Sequence, residues 1–456
     1  MSHPTSRAIS PDVRPGRLST GDYARHFADA SPRLTPAQAV LEAERCLYCF
    51  DAPCATACPT SIDVPSFIRR IGDGNLRGAA HTILDANPLG GMCARVCPTE
   101  NLCEAVCVRT TQEGQPVAIG RLQRHAVDAL MDSARPQLFT RAAATGKKVA
   151  VVGAGPAGLA CAHTLARLGH DVVVFDARAK AGGLNEYGLA SYKTPDGFAQ
   201  REVQWLLAIG GIEVRTGWTL QSTDQLDALC RDFDALFLGM GLARTHQLGV
   251  PGETLAGVQD AVDFIAALRQ ADDLATLPVG RRVVVIGGGM TAVDAAVQSK
   301  LLGAESVHIV YRRGVEAMSA STAEQEWAQT HGVTIHHWLA PVDIVASSGD
   351  SGHAGAVRFA RQALVDGKLT PTGEVETLEA DMVLKAIGQQ LGNPVLAQAG
   401  LALEGGRIAT DADGKTSRPG VWAGGDCRAG GLDLTVEAVA HGKQSALAIH
   451  AHLGAA

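Results

Sequence analysis

Eight of the 11 cysteines sit at Cys46, Cys49, Cys54 and Cys58 and again at Cys93, Cys97, Cys103 and Cys107. Thiolates gathered this densely repel one another and oxidise unless a positive centre holds them. A structural zinc module is built from tight cysteine pairs bridged by two to four residues. The uneven spacings here, with Pro59 after Cys58 and Pro98 after Cys97, suit iron–sulfur ligation better. A zinc module and a disulfide set are the alternatives, and spacing alone does not assign thiols to clusters.

Two glycine-rich turns form the second group of chemistry-bearing residues. Gly153-x-Gly155-x-x-Gly158 follows the apolar run Val149–Val152, opens a helical pattern and leads to a second run, VVVF, ending at Asp176. Such glycines permit a tight turn and close approach of a pyrophosphate to a helix N-terminus, and the terminal acid is placed to accept from a ribose hydroxyl. Gly287-x-Gly289-x-x-Ala292 repeats the pattern after VVVI, with Thr291 in the turn. Its next strand, VHIVYRR, ends in Arg312 and Arg313 instead of an acid. Arginine at that place can grip a 2′-phosphate, which favours NADP on simple chemistry.

The elements that must position these groups follow from the same pattern. Thr35-Pro36-Ala37-Gln38 reads as a capping box with Pro at the first helical position, opening a helix that delivers the chain to Cys46. From about residue 145, apolar strand runs alternate with helical patterns, the mark of βαβ units. Lys147–Gly153 and Arg281–Gly287 both run from a basic pair through an apolar strand into a glycine turn, an internal duplication of dinucleotide-binding units. Residues 347–352 read as a polar hairpin or loop.

Composition bounds the function. The chain has 456 residues, 40 Lys+Arg and 47 Asp+Glu, and its net charge of -7 argues against a dedicated nucleic-acid binder. The 51 glycines, about 11% against a usual 7%, fit the glycine turns. The start lacks an apolar secretory core, and the charge-free stretch Val149–Ala166 contains Gly153, Gly155, Pro156 and Gly158, which suits a buried strand–turn–helix and not a membrane span. A cytoplasmic chain without membrane or nucleic-acid partners is expected, with its thiols kept reduced. Single histidines such as His163 read as helix residues and not as ligands.

The runs Cys46-Leu47-Tyr48-Cys49, Asp51-Ala52-Pro53-Cys54, Cys58-Pro59-Thr60 and Asn87-Pro88-Leu89-Gly90-Gly91, with Val96-Cys97-Pro98-Thr99, resemble the N-terminal module of dihydropyrimidine dehydrogenase. The module of the glutamate synthase small subunit is a looser match. The resemblance implies two [4Fe–4S] clusters with interleaved ligands: Cys46, Cys49, Cys54 and Cys107 for the first, and Cys58, Cys97, Cys103 and Gln123, in Ile119-Gly120-Arg121-Leu122-Gln123, for the second. Cys93 is then a bystander; the other completion of the second set is Cys93 in place of Gln123.

Ala181-Gly182-Gly183-Leu184, Tyr187-Gly188 and Gly424-Gly425-Asp426 resemble the two-dinucleotide flavoprotein reductases. This implies FAD on the first turn, with Gly183, Leu184, Gly425, Asp426 and the helix start at Thr435 around it, and nicotinamide on the second. Lys193 stands where many relatives carry an arginine near the flavin. No catalytic side chain is assigned beyond it, because hydride transfer depends on alignment. The Tyr-Arg-Arg-Gly run occurs in users of both nicotinamides, and the whole chain resembles the bacterial NADH-using FAD/iron–sulfur subunit of dihydropyrimidine dehydrogenases, which implies NAD(H), with NADP(H) as the alternative. Cys161, Cys230 and Cys427 form no Cys-x-x-Cys pair, which argues against thioredoxin-reductase chemistry.

The expected fold is α/β: a helical iron–sulfur domain at 1–144, an FAD-binding domain at 145–250 and 381–456, and an NAD(P)-binding domain at 251–380 inserted within it. The resemblance also implies an electron-input subunit of a heterotetramer. Electrons would pass from NAD(H) through FAD and both clusters to an FMN- and iron–sulfur-bearing pyrimidine-reducing subunit (PreA type), since nothing in this chain reads as an FMN barrel. Service to glutamate synthase is the alternative.

Overall fold

The computed structural model describes residues 18–454. They fall into two compact units, one of residues 29–186, 193–244 and 389–454, the other of residues 18–28, 187–192 and 245–388.

The first unit opens with short helices. Thr35 accepts from the Gln38 N–H, the Gln38 side chain answers to the Thr35 N–H, and Pro36 takes the first helical position of Pro36–Glu44. Helices Val64–Gly72, Leu76–Ala86 and Ile119–Met131 each carry an apolar stripe: Phe67, Ile68 and Ile71; Ala80, Ile83 and Leu84; Leu122, Ala126, Val127 and Leu130. Residues three and four apart share a helix face, so the stripes meet and exclude water.

Behind them lies a five-stranded parallel sheet in the order Val421–Ala423, Ala235–Leu238, Lys148–Val152, Asp171–Phe175, Ile212–Arg215. Its central strands are buried on both faces, which is why they read as unbroken apolar runs. Helix Pro156–Arg167 covers the sheet and is crossed by the C-terminal helix Thr435–His452. At the crossing a Cβ on Gly442 would stand 2.0 Å from the Ala157 carbonyl oxygen, so only glycine permits that approach. The iron–sulfur front end is packed into this unit and does not stand apart. Lys443 Nζ donates to the Asp85 carbonyl at 2.7 Å and Arg167 pairs with the Asp85 carboxylate at 2.9 Å.

The second unit repeats the sheet: Val258–Asp260, Met382–Lys385, Arg282–Ile286, Ser306–Tyr311, Val333–His337, again parallel, with the glycine-turn strand central. The shared strand order carries the duplication seen in the sequence. A three-stranded antiparallel meander follows, Leu339–Ala346, Ala354–Val365 and Lys368–Glu379, and the polar run 347–352 is its first turn.

The chain passes between units at 244/245 and 388/389, and Met382–Lys385 hydrogen-bonds beside Arg282–Ile286 in the second unit. Residues 187–192 also join the second unit. There Asp294 accepts from the Ala190 N–H at 3.1 Å and Gln298 from the Ser191 N–H at 3.0 Å. Among the described residues no helix is long and apolar enough to cross a membrane.

Candidate functional site

The first thiol set lines a small hollow partly open to solvent, where Cys46, Cys49, Cys54 and Cys107 meet Pro53, Val64 and Ile68. The loop reaches this shape through left-handed backbone at Tyr48 (φ 52°) and Ala52 (φ 38°). Non-glycine residues hold such angles only where their surroundings impose them. Burial and the neighbouring Cys46 and Cys107 thiols push Cys54 up to about 11. Thiols raised in this way stay protonated unless a cation is placed among them, so the donor set fits a positively charged cluster. No three His, Cys, Asp or Glu side chains among the described residues converge on one point closely enough to hold a single metal ion. A cluster's thiolates surround several metal atoms and therefore stand farther apart.

The second group lies deeper. Cys97 is raised by a hydrogen bond with Cys93, by burial and by the nearby Cys103 and Cys58 thiols. Cys103 is raised by burial, then by Glu104 and Cys58. The structure thus gathers Cys58, Cys97 and Cys103 and leaves Cys93 beside them, fully buried. Gln123, on helix Ile119–Met131, is also buried, and its Nε2 donates to the Gly90 carbonyl at 2.7 Å. A carbonyl partner fixes that end of the amide as the nitrogen, leaving Oε1 as the atom offered to an electrophile.

At the sheet of this unit, Gly153 follows Val152, and its N–H donates to the Phe175 carbonyl at 2.7 Å. That register brings Asp176 to the turn, where its carboxylate accepts from the Ala154 N–H at 2.6 Å and the Arg178 N–H at 2.8 Å. Gly155 caps helix Pro156–Arg167 without a side chain, so the helix N-terminus is open to a pyrophosphate. Gly183 packs against the Gly155 Cα, and Thr435 Oγ1 donates to Asn185 Oδ1 at 3.0 Å just after Leu184. Gly425 meets Ala157 on the other side. Burial pushes Asp426 up to about 6, with Asp433 adding to the rise and Arg407 opposing it. Gly153, Gly155, Gly158, Asp176, Gly183, Leu184, Gly425, Asp426 and Thr435 therefore converge at the carboxyl end of one sheet, where doubly wound folds bind nucleotides. Lys193 closes a short turn at Ser191–Lys193 and is half-buried.

The second unit repeats the cradle. A Cβ on Gly287 would meet the Ala386 carbonyl oxygen at 2.1 Å, and Gly289 caps helix Met290–Leu301, again with no side-chain cap. Thr291 and Ala292 lie in its first turn, and Arg312 and Arg313 are exposed directly after Ser306–Tyr311.

Residues 147–442 match the model for pyridine nucleotide-disulphide oxidoreductases, and residues 23–135 match dihydropyrimidine dehydrogenase domain II, 4Fe-4S cluster. The chain belongs to the pyridine nucleotide-disulphide oxidoreductase family. It is 34% identical over 428 residues to the NAD-dependent dihydropyrimidine dehydrogenase subunit PreT of Salmonella typhimurium, covering 94% of this chain and 97% of that protein. It is 33% identical over 441 residues to the glutamate synthase [NADPH] small chain of Escherichia coli K12, covering 92% of each. The fold alone is shared with Mycobacterium tuberculosis FprA (TM-score 0.56, 20% identity, 68% of this chain and 85% of that one). It is shared likewise with Lactococcus lactis thioredoxin reductase (TM-score 0.54, 22% identity, 68% and 99%). As a member of this family the chain is a flavoprotein oxidoreductase using FAD and NAD(P), with an iron–sulfur front end.

Some residues of this family member that shape the site were missed in the sequence. Gly442 was one, though a glycine inside a long helical pattern signals close packing. Glu202 was another: it is fully buried on helix Phe198–Leu207 and accepts from the Gly91 N–H at 2.7 Å and the Met92 N–H at 3.2 Å. Burial pushes it up to about 8, against the pull of those N–H groups and of Arg95. Its ordinary value is 4.5, so between about pH 5 and 8 the folded chain keeps a proton that the unfolded chain has released. Its stabilising share is complete below the unfolded value and is lost as pH rises through the folded one. Urea midpoints are expected to fall from pH 5 to pH 8 by an amount worth a few kcal/mol. Glu202→Gln should flatten that slope, and an unchanged slope would refute the assignment.

Proposed function

We propose that this chain is the electron-input subunit of an NAD-dependent dihydropyrimidine dehydrogenase. The observation that carries this reading is the joining, in one compact unit, of two thiol sets with a flavin-type glycine cradle, in a chain alike to PreT over nearly its whole length. When bound, FAD would supply two-electron chemistry with the nicotinamide, and two [4Fe–4S] clusters would supply one-electron transfer onward. The chain's residues bind and orient. The glycine turn at Gly153–Gly158 and the open helix N-terminus receive the FAD pyrophosphate, and Asp176 receives a ribose hydroxyl. Asp426 and Thr435 would hold the flavin from the C-terminal part of the chain, with Lys193 as a further neighbour. The cradle at Gly287–Ala292 receives the nicotinamide dinucleotide, with Arg312 and Arg313 at the adenosine end. Cys46, Cys49, Cys54 and Cys107 hold one cluster; Cys58, Cys97, Cys103 and Gln123 hold the other. An FMN- and iron–sulfur-bearing partner in a heterotetramer would add two electrons and two protons to uracil or thymine, or run the reaction in reverse.

A second reading, the small subunit of a glutamate synthase, draws on the 33% identity to that chain and on Arg312 and Arg313, which suit NADPH. The test is anaerobic bleaching of the bound flavin by NADH and by NADPH, followed by uracil reduction in the presence of the co-purified partner. Faster bleaching by NADH with uracil-dependent turnover is expected. No bleaching with either nucleotide sinks both readings, and NADPH preference with glutamine-dependent turnover selects the second.

A further inference from the structure

We propose that Glu202 is a positioning residue for the second iron–sulfur set: reaching from the flavin-side helix Phe198–Leu207, it fixes the cysteine helix Gly90–Val96 and, through Gly90, the Gln123 amide. The inference rests on the reading that Cys58, Cys97, Cys103 and Gln123 hold a cluster.

Helix Gly90–Val96 begins at Leu89 and has no side-chain cap of its own. Gly90 donates to the Asn87 carbonyl at 2.9 Å, but the Gly91 and Met92 N–H groups would be orphaned in a dry interior, which costs more than an ordinary hydrogen bond returns. Glu202 supplies the missing acceptor, Oε1 taking Gly91 at 2.7 Å and both oxygens lying 3.2 Å from the Met92 nitrogen. The approach is tight enough to require glycine. A Cβ on Gly91 would stand 2.5 Å from Phe198 Cζ and 2.7 Å from Glu202 Oε1. One turn on, the Arg95 guanidinium lies 3.4 Å from the Phe198 ring centroid and pairs at 2.6 Å with Asp128, both side chains nearly dry. Asp128 and Gln123 share the helix Ile119–Met131.

These contacts form one mechanical chain. Glu202 holds Gly91 and Met92, Gly90 holds Gln123 Nε2, and the same short helix ends at Cys97, whose N–H donates to the Cys93 carbonyl at 3.0 Å. Cys97, Cys93 and Gln123 are therefore all registered from a side chain of the flavin fold. The first set sits on other segments, residues 46–54 and Cys107, whereas Glu202 bonds to the Gly91 and Met92 amides. Loss of Glu202 should disturb one cluster and spare the other.

The experiment compares wild type, Glu202→Ala, Glu202→Gln and Glu202→Asp as full-length holoproteins. Reductive titration followed by EPR reads the two clusters separately, and hydrogen exchange reads the Gly91 and Met92 amides. In Glu202→Ala, exchange at both amides is expected to rise on the order of tenfold, as it should when buried donors lose their acceptor. The second cluster's signal and potential should shift while the first cluster and NADH-driven flavin bleaching stay unchanged. Glu202→Gln, which keeps an acceptor oxygen, should restore the wild-type signal. If the alanine variant does not fold, Glu202→Asp, one methylene shorter, carries the same selective shift. Unchanged second-cluster spectra, equal shifts in both clusters, or failure of glutamine to rescue overturns the inference. A wild type with iron for one cluster, or none, overturns the functional reading instead.

Discussion

Gly158→Ala is expected to purify without its flavin. The new Cβ would stand 1.9 Å from the Gly153 carbonyl oxygen and 3.0 Å from its carbon, and both atoms are backbone of the turn itself. A flexible side chain could swing aside; a turn that must keep its shape to receive a pyrophosphate cannot. Overpacking of this kind costs about 1–3 kcal/mol even in yielding cores. Here the strain falls on the binding surface, so an increase in the FAD dissociation constant on the order of a hundredfold is expected. Gly442→Ala approaches the same helix from outside, 2.0 Å from the Ala157 carbonyl oxygen. It should weaken FAD less and lower the melting temperature more, because it parts two helices without entering the turn. Gly349→Ala, with no atom within 4 Å of the added carbon, is the control and should behave as wild type. Absorbance of bound flavin and thermal melting read all three, and full flavin occupancy in Gly158→Ala would count decisively against the site.

Cys54→Ala is expected to lose about half of the bound iron and keep one cluster signal. Cys54 faces the cavity with Cys46, Cys49 and Cys107, and a cluster with a missing thiolate is labile. Gln123→Ala should lose or alter the other signal, whereas Cys93→Ala should keep both. Cys93 is within hydrogen-bonding reach of Cys97, while Gln123 is engaged through Gly90. Should Cys93→Ala lose a cluster and Gln123→Ala keep both, Cys93 is the fourth ligand.

Much of this was legible in order along the chain. The two glycine turns could be read because each depends on neighbours in sequence: strand, turn, helix, second strand. The capping box at Thr35 was legible for the same reason. Which sheet each strand joins was less so. Met382–Lys385 belongs to the second sheet because it pairs with Arg282–Ile286, about a hundred residues away, and no local signal marks which of two similar sheets an apolar strand will join. Residues 187–192 were read with the flavin motif before them, yet their backbone is held by Asp294 and Gln298 of the second unit.

The cysteine crowding that first drew attention pointed, by residue type and spacing alone, to iron–sulfur ligation at the front end over zinc or disulfides. The glycine turns, each with its flanking strands, pointed to two dinucleotide-binding units. Which thiols share a cavity, and that a glutamate in the flavin fold grips the helix carrying Cys97, only the tertiary structure decided. Spacing restrains groups close in sequence; Cys107 beside Cys46, and Glu202 beside Gly91, are brought together by helix packing, which depends on complementary surfaces distant in the chain.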